Sequence, residues 1–113
     1  LSRLKSEGYM LGCASNSIKE SIEVMLLKSN LIKYMDVIYS AQDVLKTKPD
    51  PDIYIKAIST LGMTPEECLV IEDNENGIKA AKDSGAHVMV VKEVSEVNFI
   101  NIKQKIDQIN KKL

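Results

Sequence analysis

The sequence lacks the features of a nucleic-acid-binding or membrane-spanning protein. Fifteen basic residues balance sixteen acidic ones, and no run of Lys or Arg could follow a nucleic-acid backbone or an anionic lipid surface. No stretch approaches the roughly 20 apolar residues of a membrane span, and no signal-peptide pattern opens the chain. We therefore expect neither nucleic acid nor a membrane as a partner.

Cysteine and histidine are also scarce. Cys13 and Cys68 each lie in an apolar stretch with no second Cys or His at metal-ligand spacing. This favours buried, reduced thiols over a disulfide or a zinc site, and we expect a cytoplasmic protein. His87, the sole histidine, opens a predicted strand, and we interpret it as structural.

The chain has the length and composition of at most one soluble globular domain. Of its 113 residues, 44% are hydrophobic and 27% are charged, which is close to the average for such domains. It opens on Leu1 instead of Met, so we do not expect the natural gene to start at this position.

Short apolar segments alternate with helical patterns along the chain. A capping box of Ser17 and Glu20 predicts one helix start, and Asp50 followed by Pro51 predicts another. Strands are predicted at residues 9–14, 36–40, 68–71 and 87–91, and helices at 17–28, 51–61, 77–84 and from about 98. This alternation predicts an α/β fold with a parallel sheet and right-handed crossovers.

Four polar residues are predicted at the carboxyl edge of this sheet, where ligands of such folds bind. Ser15 follows the first strand and precedes a helix, so its hydroxyl and nearby N–H groups suit a phosphate. Lys48 lies in a loop and offers a compact positive charge. Each has an ordinary alternative, helix capping for Ser15 and a surface lysine for Lys48.

Glu72 and Asp73 end the third strand side by side. Adjacent carboxylates are costly there unless a cation binds, and Mg²⁺ takes one or two carboxylates together with waters and phosphate oxygens. The alternative is that these residues cap the following helix. An EF-hand is excluded, because Gly77 is one place early and Ser84 occupies the position of the closing Glu.

Three motifs in this order resemble those of a known superfamily. CASNS (13–17), KTKPDPDIY (46–54) and IEDNENGIKAAKDSGA (71–86) resemble the second to fourth motifs of the haloacid dehalogenase-like hydrolases, nearest to the β-phosphoglucomutase-like phosphatases. The resemblance extends to about Val91. It implies that residues 1–113 form a partial domain of a three-layer, Rossmann-like core.

The resemblance also implies roles for individual residues. Ser15, Asn16 and Lys48 would bind the transferring phosphoryl group, and Lys48 would also offset charge on the nucleophile. Asp73 would bind Mg²⁺ directly, with Glu72 beside it acting through water. The family commonly has Ser where this chain has Asn74, a departure that affects local hydrogen bonding.

The superfamily's first motif is absent from these 113 residues. That motif is an apolar strand ending in Asp-x-Asp, whose first Asp is the nucleophile. Asp50 and Asp52 have the right spacing but flank Pro51 at a predicted helix start, so we do not interpret them as the nucleophile. The cap domain that selects the substrate is absent too.

These features predict part of a magnesium-dependent phosphatase or phosphomutase acting on a small phosphorylated metabolite. The resemblance puts the absent strand between the first and third strands, leaving two unpaired edges. We expect this chain alone to be inactive and fragile, and to need an N-terminal segment or another copy. The alternative is a non-catalytic α/β module that binds a phosphorylated ligand or a protein. A receiver domain is less favoured, because no acidic cluster lies near the N-terminus.

Overall fold

The computed structural model describes residues 2–111, in which short parallel strands alternate with α-helices. Single turns of 3₁₀ helix lie at Ile32–Tyr34, Ala41–Asp43, Pro65–Glu67 and Val94–Glu96. The main elements are α1 (Ser2–Ser6), β1 (Gly12–Ala14), α2 (Lys19–Lys28), β2 (Val37–Tyr39), α3 (Asp52–Thr60), β3 (Leu69–Glu72), α4 (Glu75–Asp83), β4 (His87–Val90) and α5 (Phe99–Lys111).

The strands form two separate parallel pairs. β1 pairs with β2, so that Ala14 lies opposite Tyr39, and β3 pairs with β4, so that Glu72 lies opposite Val90. Within residues 2–111, β1 and β3 each have a strand on one side only. The predicted parallel pairing and the two predicted unpaired edges are confirmed.

Helices α3 and α4 pack together and join the two strand pairs. Ile53 and Tyr54 of α3 and Ala80 and Ala81 of α4 form a buried cluster. The strands and the loop after β2 add partly buried side chains from Ala14, Tyr39, Val44, Val70 and Val88. Removing apolar side chains from water in this way is the main stabilising contribution. The cluster therefore connects the two halves of the interrupted sheet.

Three helices begin elsewhere than the sequence predicted. Helix α3 begins at Asp52 with Pro51 as its N-cap, one residue later than predicted. The Ser17 capping box is wrong, because α2 begins at Lys19 with Ile18 as its N-cap and no side-chain cap. The N–H of Lys19 instead donates to Oε1 of Gln42 at 3.0 Å, across 23 residues of sequence. Helix α4 begins at Glu75 instead of Gly77.

The first strand is shorter than predicted. Its pairing with β2 begins at Gly12, and just before it the N–H of Leu11 donates to the Asp36 carboxylate instead of to a backbone oxygen. The predicted helix ends are confirmed: Gly62 has φ of +71° and Gly85 has φ of +88°, left-handed conformations that follow α3 and α4.

The two cysteines are free, as predicted, but they are half-buried and not fully buried. His87 has a ring nitrogen 3.1 Å from the carbonyl oxygen of Glu66, consistent with its structural interpretation. None of the helices in the described part of the chain is long and apolar enough to span a membrane.

Candidate active site

Lys48 lies where the carboxyl ends of the two strand pairs meet. Its Nζ donates to the carbonyl oxygen of Ala14, the last residue of β1, at 2.9 Å. It also donates to Oε2 of Glu72, the last residue of β3, at 3.0 Å. One ammonium group therefore bridges the two open edges.

This ion pair is enclosed by protein. The side chains of Lys48 and Glu72 are 8% and 10% exposed, which excludes the surface-lysine alternative for Lys48. The ring of Tyr54 lies with its centroid 4.8 Å from the ammonium, within range of a cation–π contact. Because water is largely absent, the attraction between the two charges is stronger than at a surface.

Tyr54 and Cys13 are both protonated next to this pair. Burial raises the pKa of Tyr54, and the negative charge of Glu72 raises it further. Burial also raises the pKa of the Cys13 thiol, although the positive charge of Lys48 opposes this. Neither group adds a negative charge beside Lys48 at neutral pH.

Gly77 makes room for the Glu72 carboxylate. A Cβ atom at Gly77 would lie 1.5 Å from Oε2 and 2.1 Å from Cδ of Glu72. No side chain larger than a hydrogen atom fits there while Glu72 keeps its contact with Lys48. The first turn of α4 thus positions the carboxylate by leaving a gap.

The side-chain amide of Asn16 forms hydrogen bonds with both the N–H and the carbonyl oxygen of Lys48. Its Oδ1 accepts the Lys48 N–H at 3.1 Å, and its Nδ2 donates to the Lys48 carbonyl oxygen at 3.3 Å. The loop that carries Lys48 is therefore tied to the loop that follows β1.

Ser15 is anchored by its backbone and retains a hydroxyl proton. Its N–H donates to the carbonyl oxygen of Tyr39, and its Oγ accepts the N–H of Ser17 at 3.1 Å. A hydroxyl that accepts one hydrogen bond can still donate one. Because Ile18 is the N-cap of α2, helix capping does not explain Ser15.

Asp73 follows Glu72 and is exposed at the end of β3. The acidic-cap alternative for these two residues is wrong, because Asn74 is the N-cap of α4 and its Oδ1 accepts the Gly77 N–H at 2.8 Å. Across residues 2–111, the carboxylate of Asp73 forms no ion pair, and no three His, Cys, Asp or Glu side chains form a metal-binding group.

Asp50 and Asp52 lie at a helix start, as the sequence predicted. Asp52 is the first residue of α3, and its N–H donates to Oδ1 of Asp50 at 3.1 Å. Asp50 therefore accepts a backbone N–H at the start of a helix and does not end a buried strand.

Sequence reasoning assigned no site role to Tyr54 or Gly77. Tyr54 ends the motif KTKPDPDIY (46–54), and its place in the first turn of the helix after Lys48 is the signal that could have indicated such a role. The sequence pattern gives Gly77 only the roles of a helix start and of the misplaced glycine in the excluded EF-hand. Its spacing of five residues from Glu72, within the first turn of α4, was the signal that its missing side chain mattered.

Comparisons with known proteins identify a family and several relatives that are similar to this chain. Residues 1–91 match the family described as haloacid dehalogenase-like hydrolase. A Bacillus subtilis (strain 168) protein named as a phosphatase, YhcW, is 37% identical over 91 residues. The pyrophosphatase PpaX of Bacillus cereus (strain AH820) is 33% identical over 88 residues.

The fold is shared with solved structures as well. A crystal structure of β-phosphoglucomutase from Clostridium difficile is 25% identical and superimposes with a TM-score of 0.81, covering 95% of this chain and 53% of that one. The predicted Rossmann-like α/β core is therefore confirmed. The matches cover 80% and 78% of this chain, but only 41% of YhcW and 41% of PpaX.

Proposed function

Because the chain belongs to the haloacid dehalogenase-like hydrolase family, we propose that it is part of a magnesium-dependent phosphoryl-transfer enzyme. The enzyme takes a phosphoryl group from a small phosphorylated metabolite onto an aspartate. It then passes the group to water, as a phosphatase, or back to a sugar, as a β-phosphoglucomutase-like phosphomutase. The observation that carries this proposal is the enclosed Lys48 ammonium between the ends of β1 and β3.

Three hydrogen-bond donors next to each other support phosphate binding. A lysine ammonium has three donors, and Ala14 and Glu72 take two of those on Lys48. Ser15 retains its hydroxyl proton, and the backbone N–H of Asn16 has no partner within residues 2–111. In this proposal Ser15 and Asn16 hold phosphoryl oxygens, while Lys48 offsets charge on the phosphoryl group and the attacking carboxylate.

The carboxylates at the end of β3 fit magnesium. Asp73 is an exposed hard-oxygen donor, and Glu72 has a second oxygen beside the one that contacts Lys48. With so few protein ligands, the ion would complete its shell with waters and phosphate oxygens, as Mg²⁺ commonly does. Bound there, it would neutralise charge on the transferring group.

The nucleophilic aspartate must come from outside these 113 residues. No apolar strand ending in Asp-x-Asp occurs in the sequence. We propose that such a strand, from an N-terminal segment or another copy, pairs with the open edges of β1 and β3. Its carboxyl end would then meet Lys48. The two free thiols suit the reducing cytoplasm, where we place the reaction.

The test compares this chain with an extended protein, meaning this chain expressed together with the reading frame upstream of Leu1. We expect the 113-residue chain to leave p-nitrophenyl phosphate intact and the extended protein to hydrolyse it with Mg²⁺. Asp73→Ala should lower kcat about 100-fold or more, since it removes transition-state charge stabilisation. Asp107→Ala, an exposed carboxylate on α5, is the matched control. Unchanged hydrolysis by the Asp73→Ala variant would refute the assignment.

A non-catalytic phospholigand-binding module is the second candidate. It is favoured by one observation: the donors of Ser15, Asn16 and Lys48 are present without a nucleophile. An upstream reading frame without an Asp-x-Asp strand, together with phosphate binding that depends on Lys48, would support it over the enzyme.

A further inference from the structure

We propose that Asn16 is a positioning residue whose side-chain amide fixes where Lys48 leaves its loop. This inference rests on the proposed function, and it assigns the phosphate contact of Asn16 to its backbone N–H alone. The Asn16 side chain acts on the reaction only through Lys48.

Both polar atoms of the Asn16 side chain are used by one residue. Oδ1 accepts the Lys48 N–H, and Nδ2 donates to the Lys48 carbonyl oxygen. The amide thus forms with Lys48 the same pair of hydrogen bonds that two opposite residues of antiparallel strands form. Aspartate lacks the donor, and alanine lacks both groups.

The Lys48 peptide depends on this contact. Within residues 2–111, its N–H and carbonyl oxygen form no hydrogen bond except those with Asn16. The two residues are 32 positions apart, so the contact ties together two loops that are distant in sequence. The other backbone hydrogen bond at this peptide in the described residues is local: the Asp50 N–H donates to the Thr47 carbonyl oxygen at 3.0 Å, within the same loop.

A fixed backbone matters because the lysine side chain is long and flexible. Its Nζ must reach Ala14 and Glu72 together, with the third donor left for a ligand. If the peptide moved, the ammonium would be displaced from the reacting group, and a misplacement of about 1 Å can cost about 100-fold in rate.

The experiment is a double-mutant cycle in the extended protein, with kcat measured on p-nitrophenyl phosphate and Ki measured for inorganic phosphate. We expect Asn16→Ala to lower kcat about 10-fold to 100-fold. In the Lys48→Ala background, the same substitution should change kcat and Ki by less than about twofold, because the two residues act as one unit. Ser17→Ala is the matched control, since its side chain forms no hydrogen bond in the described residues.

A second readout does not depend on activity. Amide hydrogen exchange at Lys48 should be slow in the parent protein and in Ser17→Ala, and fast in Asn16→Ala. An unchanged exchange rate in Asn16→Ala overturns the inference, as does full activity of that variant.

The outcomes separate this inference from the proposed function. If Lys48→Ala lowers kcat but Asn16→Ala causes an equal loss in both backgrounds, Asn16 contacts phosphate directly and only the inference fails. An extended protein without phosphatase activity, or one fully active as Lys48→Ala, overturns the proposed function and this inference with it.

Discussion

The ion pair of Lys48 and Glu72 is both a structural and a chemical feature. Two enclosed charges are stable because each compensates the other, and removing one partner of such a pair commonly costs about 3–5 kcal/mol. A substitution of Lys48 therefore lowers stability as well as activity. A decrease in kcat caused by a Lys48 substitution must therefore be compared with the free energy of unfolding of the same variant.

Gly77 gives a way to disturb the pair without touching either charge. In the extended protein, we expect Gly77→Ala to lower the free energy of unfolding by about 1–3 kcal/mol, because the methyl group displaces an otherwise well-packed carboxylate. In the Glu72→Ala background the clash is absent. The same substitution should then stabilise α4 by up to about 1 kcal/mol, because Ala is the better helix former.

Urea unfolding of the four proteins in this cycle measures both effects. Equal changes in the two backgrounds would show that the Glu72 carboxylate does not occupy the space beside Gly77.

The sequence predicted which residues share the carboxyl edge of the sheet better than it predicted their contacts. Alternating strands and helices were enough to put Ser15, Lys48, Glu72 and Asp73 at one sheet edge. The contact between Lys48 and Glu72 depends on side-chain conformations 24 positions apart and on the gap at Gly77. No local pattern encodes such a contact.

At the scale of elements, the helix starts show where local patterns fail. Ser17 and Glu20 have the capping-box spacing, yet Gln42 from a distant 3₁₀ turn takes the first helical N–H of α2. The hydrogen-bond acceptor is thus Gln42, which the fold brings close, instead of the predicted neighbour in sequence, Ser17. The helix ends at Gly62 and Gly85 were predictable, because a left-handed residue there needs only the glycine itself.

The contribution of the Asn74 cap of α4 to stability can be compared with that of Ser17, which does not cap α2. Asn74 accepts the Gly77 N–H, so Asn74→Ala should destabilise the extended protein by about 1 kcal/mol. Asn74→Ser should recover most of this loss, since Ser caps about as well as Asn. Ser17→Ala should stay within about 0.5 kcal/mol of the parent.

Thermal and urea unfolding give these values. A Ser17→Ala loss as large as that of Asn74→Ala would mean that the Ser17 side chain caps α2 after all.

For the whole molecule, the central question is what joins the two strand pairs. The cluster between α3 and α4 does so on one face, and Lys48 does so at the carboxyl edge. The radius of gyration, 13.4 Å, is that of a compact domain of this length. Family resemblance predicted the gap in the sheet. It did not predict that helix packing keeps the two halves together, because that depends on how side chains interdigitate.

The open edges of β1 and β3 should affect the stability and association of the 113-residue chain. Their unpaired N–H and C=O groups must bond to water or to another strand, and such edges favour association with other chains. We therefore expect the 113-residue chain to melt with low cooperativity or to self-associate. The extended protein should melt cooperatively, at a temperature independent of its concentration.

Supplying the strand as a separate peptide should raise the melting temperature of the 113-residue chain in proportion to the logarithm of peptide concentration, because the peptide binds only the folded state. Calorimetry, sedimentation and amide exchange measure the three effects. A monomer of 113 residues that melts cooperatively, with slow amide exchange along β1 and β3, would show that helix packing alone stabilises both halves and that the gap needs no strand.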